Sequence, residues 1–120
     1  MTPILEFTFP EPTPSNNQIM RMHFWTRKKE NERVHWIVRG LIGPWTQPLK
    51  RCELHITRYG SRELDADNLA GGFKFLIDAV VNNRIILDDR PGCITRKSFN
   101  QERCKRREQR TLVRIYEVNP

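Results

Sequence analysis

The fold of this chain is decided by the stretch Leu64–Val81, LDADNLAGGFKFLIDAVV. Its apolar residues at positions 69, 73, 76, 77 and 80 follow the spacing of one face of an α-helix. This spacing predicts one amphipathic helix that buries the apolar stripe. Asp67 or Asn68 is expected to cap the helix, with Asp65 lying just before it.

The opposite face of the predicted helix is polar. At about 100° per residue, four positions fall within about 60° of one another: Asp67, Gly71, Lys74 and Asp78. An acid, a position without a side chain, a base and a second acid therefore share one stripe.

A second acidic motif, Leu87-Asp88-Asp89, follows the predicted helix at the end of a short apolar segment. Carboxylates at a loop-to-helix junction, joined by a third from another segment, suit hard, oxygen-seeking cations such as Mg²⁺. Such cations activate water and stabilise the leaving group of a phosphodiester. A simpler interpretation stands beside this one, because Asp-x-Asp-Asn before an apolar run is often a helix cap and Asp-Asp after one is often a turn.

The order of these motifs resembles the signature of the RusA-type Holliday junction resolvases. The matching elements are Asp65-x-Asp67-Asn68-Leu69, Lys74-x-x-x-Asp78-Ala79, Leu87-Asp88-Asp89 and, near the start of the chain, Pro14-Ser15-Asn16-Asn17. Members of this family are small dimeric endonucleases, common in bacteria and their phages. The resemblance implies a homodimer that cuts four-way DNA junctions in a bacterial cytoplasm, without an organic cofactor.

The resemblance also assigns roles to individual residues. It implies that Asp65, Asp67 and Asp89 bind Mg²⁺, with Mn²⁺ as a substitute, and that Lys74 is the active-site lysine. Three further polar residues are expected to support these: Asn68, Asp78 and Asp88.

Lys74 departs from the family pattern, in which the lysine follows Asn-Leu more closely. The insertion adds three residues, which rotate a helix by about 300°, so Lys74 still faces the side on which an i+4 lysine would lie. This alignment requires an unbroken helix through Gly71-Gly72.

Composition points to a polyanionic partner. The 120 residues carry a formal net charge of +7, with a pI of about 9.8, so nucleic acid is the first candidate. The chain has no apolar run of about 18 residues and no signal-peptide pattern at its start, and we expect a cytoplasmic protein without a membrane span. Three cysteines without Cys-x-x-Cys spacing disfavour a disulfide framework and a zinc site.

Basic residues interleaved with aromatics can contact phosphates and stack on bases. This pattern occupies positions 18–33, which can equally be a flexible loop with packed aromatics, while a second basic run covers 101–110. The predicted DNA-binding residues are Asn16, Asn17, Arg21, Arg27, Lys28, Lys29, Arg96, Lys97, Arg103, Lys105, Arg106 and Arg107.

The remaining pattern predicts strands over 4–9, 49–59, 93–100 and 111–118 and a helix over 31–41. Residues 15–17 are expected to form a turn and 101–110 a hairpin loop. The chain should therefore be an α/β (α+β) fold, a single RusA-like endonuclease domain over 1–120. We expect a mixed sheet of about four to five strands with two main helices packed on it.

Two other functions remain open from the sequence. One is a non-catalytic basic nucleic-acid-binding protein in which the acidic residues are helix caps. The other is a small regulator or structural phage protein that binds protein partners.

Overall fold

Segments with alternating or helical apolar spacing form the regular elements of the chain. The computed structural model describes residues 2–119, and the ends of the predicted domain, Met1 and Pro120, lie outside the described residues. The elements in order are β1 (Leu5–Phe9), α1 (Asn16–Arg21), α2 (Phe24–Ile42), β2 (Cys52–Gly60), α3 (Ala66–Gly72), α4 (Lys74–Asn82), β3 (Ile94–Arg103), a 3₁₀ turn (Arg106–Glu108) and β4 (Arg110–Glu117).

The four strands form one mixed sheet in the order β1-β4-β2-β3. β4 pairs antiparallel with both β1 and β2, while β3 runs parallel to β2 at the edge. Parallel neighbours need a long crossover, and α3 and α4 supply it between β2 and β3. The predicted mixed α+β domain with a sheet of four to five strands is confirmed.

The core lies between one face of the sheet and the helices. Alternate residues of β2 are buried, as predicted, because successive side chains of a strand point to opposite faces. Phe73 packs edge-on against Phe99 of β3, with ring centroids 4.9 Å apart. The predicted apolar stripe is buried too, since Leu69, Phe73, Leu76 and Val80 are at most 6% exposed.

The central helix is not continuous, contrary to prediction. α3 ends at Gly72 and α4 begins at Lys74, and Phe73 between them has φ −82° and ψ 0°. The physical reason is the pair Gly71-Gly72, whose helix propensity is low. Because the helix is broken, the rotation argument that aligned Lys74 with the family's lysine does not hold. The cap is also different: Asp65, rather than Asp67 or Asn68, is the N-cap of α3.

The basic segment 18–33 is helical except at Met22 and His23, which separate α1 from α2, so both the predicted turn at 15–17 and the loop interpretation are wrong. Ser15 and Gln18 form a capping box that starts α1, a short helix that was not predicted. The helix predicted over 31–41 begins at Phe24 and ends at Gly43, its C-cap. The sequence pattern did not predict the first turns of this helix, because Phe24 and Trp25 are exposed and these turns have no apolar stripe that would indicate a buried face.

The predicted hairpin loop at 101–110 is also wrong. β3 continues to Arg103, and β3 and β4 are not paired with each other, because each flanks β2. The segment 104–109 crosses the end of β2, where the Cys104 amide donates to the Gly60 carbonyl at 3.0 Å. Ser61 donates its amide to Gln109 Oε1 at 3.0 Å. A run of charged residues does not indicate which partners the strands before and after it will pair with.

Among residues 2–119, no helix combines the length and the apolar character needed to cross a membrane.

Candidate nuclease site

The acidic motif starts at the junction between the loop after β2 and α3. Gln101 of β3 holds this loop by two hydrogen bonds, donating to the Leu64 carbonyl at 2.6 Å and accepting the Leu64 amide at 2.9 Å. The position of Asp65 is therefore set by a side chain of the edge strand. Sequence reasoning missed Gln101, since nothing local marks it as a partner of Leu64.

Asp65 and Asn68 form a closed pair at the start of α3. Asp65 Oδ1 accepts the Asn68 amide at 2.9 Å, and Oδ2 accepts the Asn68 side-chain amide at 3.0 Å. These hydrogen bonds, that of the Asn68 backbone first, hold the pKa of the Asp65 carboxyl below its ordinary value. Asn68 thus orients Asp65, and Asp67 occupies the exposed first turn of the helix.

Asn68 also joins α3 to α1, because its Oδ1 accepts the backbone amide of Asn17 at 2.9 Å. The two helices approach closely, and the glycine pair of α3 permits it. A Cβ on Gly72 would clash with the Pro14 carbonyl oxygen, and a Cβ on Gly71 would meet the Asn16 side chain. The Pro-Ser-Asn-Asn element therefore lies directly on the acidic helix.

One end of the α1–α3 contact opens into a cavity of about 250 Å³, which we call the Asp89 cavity. Its polar lining comes from four segments of the chain: Asn16, Lys74, Asp78, Asp89 and Lys97. Lys74 Nζ lies 3.5 Å from Asp78 Oδ2, one helical turn away. The lysine is mostly exposed, so this ion pair contributes little and leaves the amine free to contact another anion.

The segment after α4 delivers Asp89 to this cavity. Ile85 and Ile86 are buried and anchor the segment, and Ile86 bridges to Leu49. Asp88 Oδ1 accepts the Asp89 amide at 2.7 Å, so Asp88 acts within the turn while the Asp89 side chain is exposed. The supporting role of Asp88 at a metal site stays a prediction.

The three proposed metal-binding carboxylates do not form a ready-made centre. Among residues 2–119, no three histidine, cysteine or acidic side chains lie together as a group that could hold a metal ion. Asp89 lines the cavity with Lys74, whereas Asp65 and Asp67 are not among its lining residues. Their assignment to one cation site stays a prediction.

The predicted DNA-binding residues are spread over several elements. Lys97 lines the Asp89 cavity, and Lys28 lies over the Trp25 ring at 5.6 Å from its centroid. Arg27 is half-buried and donates to the Met22 carbonyl at 3.5 Å, which makes it the least available of the set. The exposed basic members are Arg21, Lys28, Lys29, Arg96, Lys97, Arg103, Lys105, Arg106 and Arg107.

One buried cation was missed altogether. Arg58 is only 8% exposed and occupies an inward position of β2. The alternation of β2 could have indicated this, because Arg58 continues the inward row of Cys52, Leu54 and Ile56.

Comparison with known proteins finds no family model and no curated sequence that matches this chain.

Proposed function

We propose that this protein is a Mg²⁺-dependent, structure-selective DNA endonuclease that resolves four-way junctions, as the resemblance to RusA-type resolvases implies. One observation carries the proposal. Asn16, Lys74 and Asp89 come from three separate motif segments, and all three line one cavity beside the α1–α3 contact. The formal net charge of +7 suits a nucleic-acid substrate.

The available donors fit Mg²⁺ as an open site. Mg²⁺ is commonly held by one or two carboxylates, with water and substrate phosphates completing its coordination, so a cage of three side chains is not required. Asp67 and Asp89 are exposed, and no basic side chain among residues 2–119 forms an ion pair with either. Asp65, Asp67 and Asp89 are the residues that would hold the cation, with Mn²⁺ as a substitute.

When bound, the cation would supply an activated water and offset charge on the leaving oxygen. Lys74 would donate to a non-bridging oxygen of the scissile phosphate and neutralise the charge that develops there. Lys74 is exposed and its ion pair with Asp78 is weak, so the Lys74 amine can leave that carboxylate and bind a phosphate at little cost in free energy. Lys97 and Asn16, which also line the cavity, would orient the same phosphodiester.

A four-way junction requires two opposed cuts, and we propose a homodimer with two-fold symmetry that presents two such sites. The place of action would be the cytoplasm of a bacterial cell. No organic cofactor is needed for phosphodiester hydrolysis.

The proposal is tested with a labelled four-way junction and a matched duplex, each with and without Mg²⁺. We expect paired cuts in the junction, only with Mg²⁺. Asp67→Asn and Asp89→Asn should each lower the cleavage rate at least a hundredfold and keep junction binding, because they remove a metal ligand and no phosphate contact. Glu32→Gln changes charge equally on an exposed part of α2 and should cut normally. Cleavage by Asp67→Asn at the parent rate would end the metal-site assignment.

A non-catalytic nucleic-acid-binding protein is the second candidate, and one observation favours it. Both oxygens of Asp65 are engaged by Asn68, as expected for a carboxylate that serves as a helix cap. In that case the same gel would show junction binding and no product at any Mg²⁺ concentration.

A further inference from the structure

The inward-facing row of β2 ends on a charged residue. Cys52, Leu54 and Ile56 are buried apolar residues, and Arg58 follows them at the next inward position. Gly60 leaves room for the guanidinium, since a Cβ there would collide with it. Burying a positive charge is costly unless another charge or a set of hydrogen bonds compensates it.

The partners of Arg58 within the protein are neutral. Its Nε donates to the Thr13 carbonyl at 2.8 Å, and its Nη1 donates to the Arg62 carbonyl at 3.1 Å. No carboxylate in the part of the chain from 2 to 119 forms an ion pair with Arg58. Burial lowers the pKa of the Arg58 guanidinium, as expected for a cation without a counter-ion.

Arg58 opens onto a cavity of about 360 Å³, which we call the arginine cavity. Two further arginines, Arg21 and Arg62, line it, and Glu63 is the one acidic residue among its lining residues. None of the three arginines forms an ion pair within residues 2–119. Three guanidinium groups around one space repel one another, and an anion with several acceptor oxygens would relieve that repulsion.

Part of the polar lining of the arginine cavity is held in place by hydrogen bonds within the protein. Ser15 is locked in the capping box of α1, and the Asn68 side chain is held by Asp65 and by the Asn17 amide. A site whose groups are held before the ligand arrives loses less entropy on binding. The volume of the arginine cavity lies at the lower end of the range for small-molecule sites. The cavity can therefore hold a ligand larger than a single small ion.

We propose that the arginine cavity binds a phosphate group of a nucleic-acid backbone, at a position separate from the Asp89 cavity. Arginine forks suit the planar pairs of oxygens on a phosphate, and Arg58, held by two carbonyls, would fix its orientation.

Both cavities border the contact between α1 and α3. The arginine cavity uses Ser15 and Asn68, while the Asp89 cavity uses Asn16 and Gly71 of the same two helices. A strand that crosses this contact would place one phosphate among the arginines and another near Lys74. This last step rests on the proposed function, whereas phosphate binding in the arginine cavity does not.

The test follows the Arg58 Nε–H resonance by NMR in buffer with EDTA, so that cleavage plays no part. Inorganic phosphate and a duplex oligonucleotide are titrated separately. We expect both to shift this buried resonance in a saturable way. Arg62→Gln should weaken the response to both probes about tenfold, because it removes a charge from the cavity and keeps the carbonyl that holds Arg58. Arg39→Gln, an equal charge change on the exposed last turn of α2, should leave the response unchanged.

Duplex affinity measured against salt gives a second readout. Arg62→Gln should lower the slope of log affinity against log salt by about one, the loss of one phosphate contact. The proposal would be overturned if Arg62→Gln and Arg39→Gln had equal effects on binding. It would also be overturned if neither inorganic phosphate nor the duplex shifted the Arg58 resonance in a saturable way. A shift with inorganic phosphate alone would overturn the nucleic-acid assignment. Junction binding without cleavage would count against the nuclease and leave the arginine cavity standing.

Discussion

The contact between α1 and α3 should make Gly72 intolerant of any side chain. A Cβ at this position would clash with the backbone carbonyl oxygen of Pro14, in the segment just before α1. Because this oxygen is part of the backbone and not the end of a flexible side chain, either α3 or the segment that leads into α1 has to move. Overpacking of this kind costs about 1–3 kcal/mol. Separation of the helices also breaks the hydrogen bond from the Asn17 amide to Asn68, at about 1 kcal/mol.

Gly72→Ala also has a favourable component, since alanine in a helix is better than glycine by about 1 kcal/mol. The balance is a loss of about 2 kcal/mol in the free energy of unfolding. With a denaturant slope of about 2 kcal/mol per molar urea, the midpoint of unfolding should fall by about 1 M.

Gly40→Ala is the matched control for this experiment. Gly40 lies in the last turns of α2 with no atom in the path of a Cβ, so only the propensity change remains. Its urea midpoint should stay the same or rise. The two substitutions add the same methyl group, but Gly72→Ala should lower the urea midpoint and Gly40→Ala should not. If Gly72→Ala were as stable as Gly40→Ala, the close approach of α1 to α3 would be refuted.

Two further predictions concern stability. Arg84 has a φ of 62°, a conformation that suits glycine, so Arg84→Gly should stabilise the protein by about 1 kcal/mol in urea unfolding, and an unchanged midpoint would contradict this. Glu11 accepts two hydrogen bonds from Arg33, at 2.6 and 2.8 Å, which hold the pKa of its carboxyl below its ordinary value. Its contribution to stability is therefore complete above the ordinary pKa of a glutamate and is lost as the pH falls through the lower, folded-state pKa. Glu11→Gln should be less stable than the parent at pH 7 and nearly equal to it in strong acid, and an equal difference at both pH values would contradict this.

The candidate site could be predicted in part. The motif order indicated that residues 65, 67, 74 and 89 belong with residues 16 and 17, and the structure brings Asn16, Lys74 and Asp89 into one cavity. The local details could not be predicted in the same way. Asp65 caps the helix through Asn68, and Lys74 starts a second helix. The second of these outcomes depends on a break at Phe73, which the helical spacing of the apolar residues does not indicate.

The sequence alone determined the elements whose evidence is local. The structure buries the apolar residues at 69, 73, 76 and 80 and the alternate residues of β2, as the sequence predicted. Both patterns are local, because the spacing of residues on one face follows from the geometry of a single helix or strand. The sign of the surface charge is likewise a property of composition.

Tertiary structure decided what lies next to what. Asn17 and Asn68 are 51 residues apart and still share a hydrogen bond, because a glycine in α3 lets the Pro14 backbone come close. Two cavities border this contact, one lined by Asp89 and one lined by Arg58. Contacts of this kind depend on how closely distant backbones can pack, and no spacing within a single segment encodes that distance.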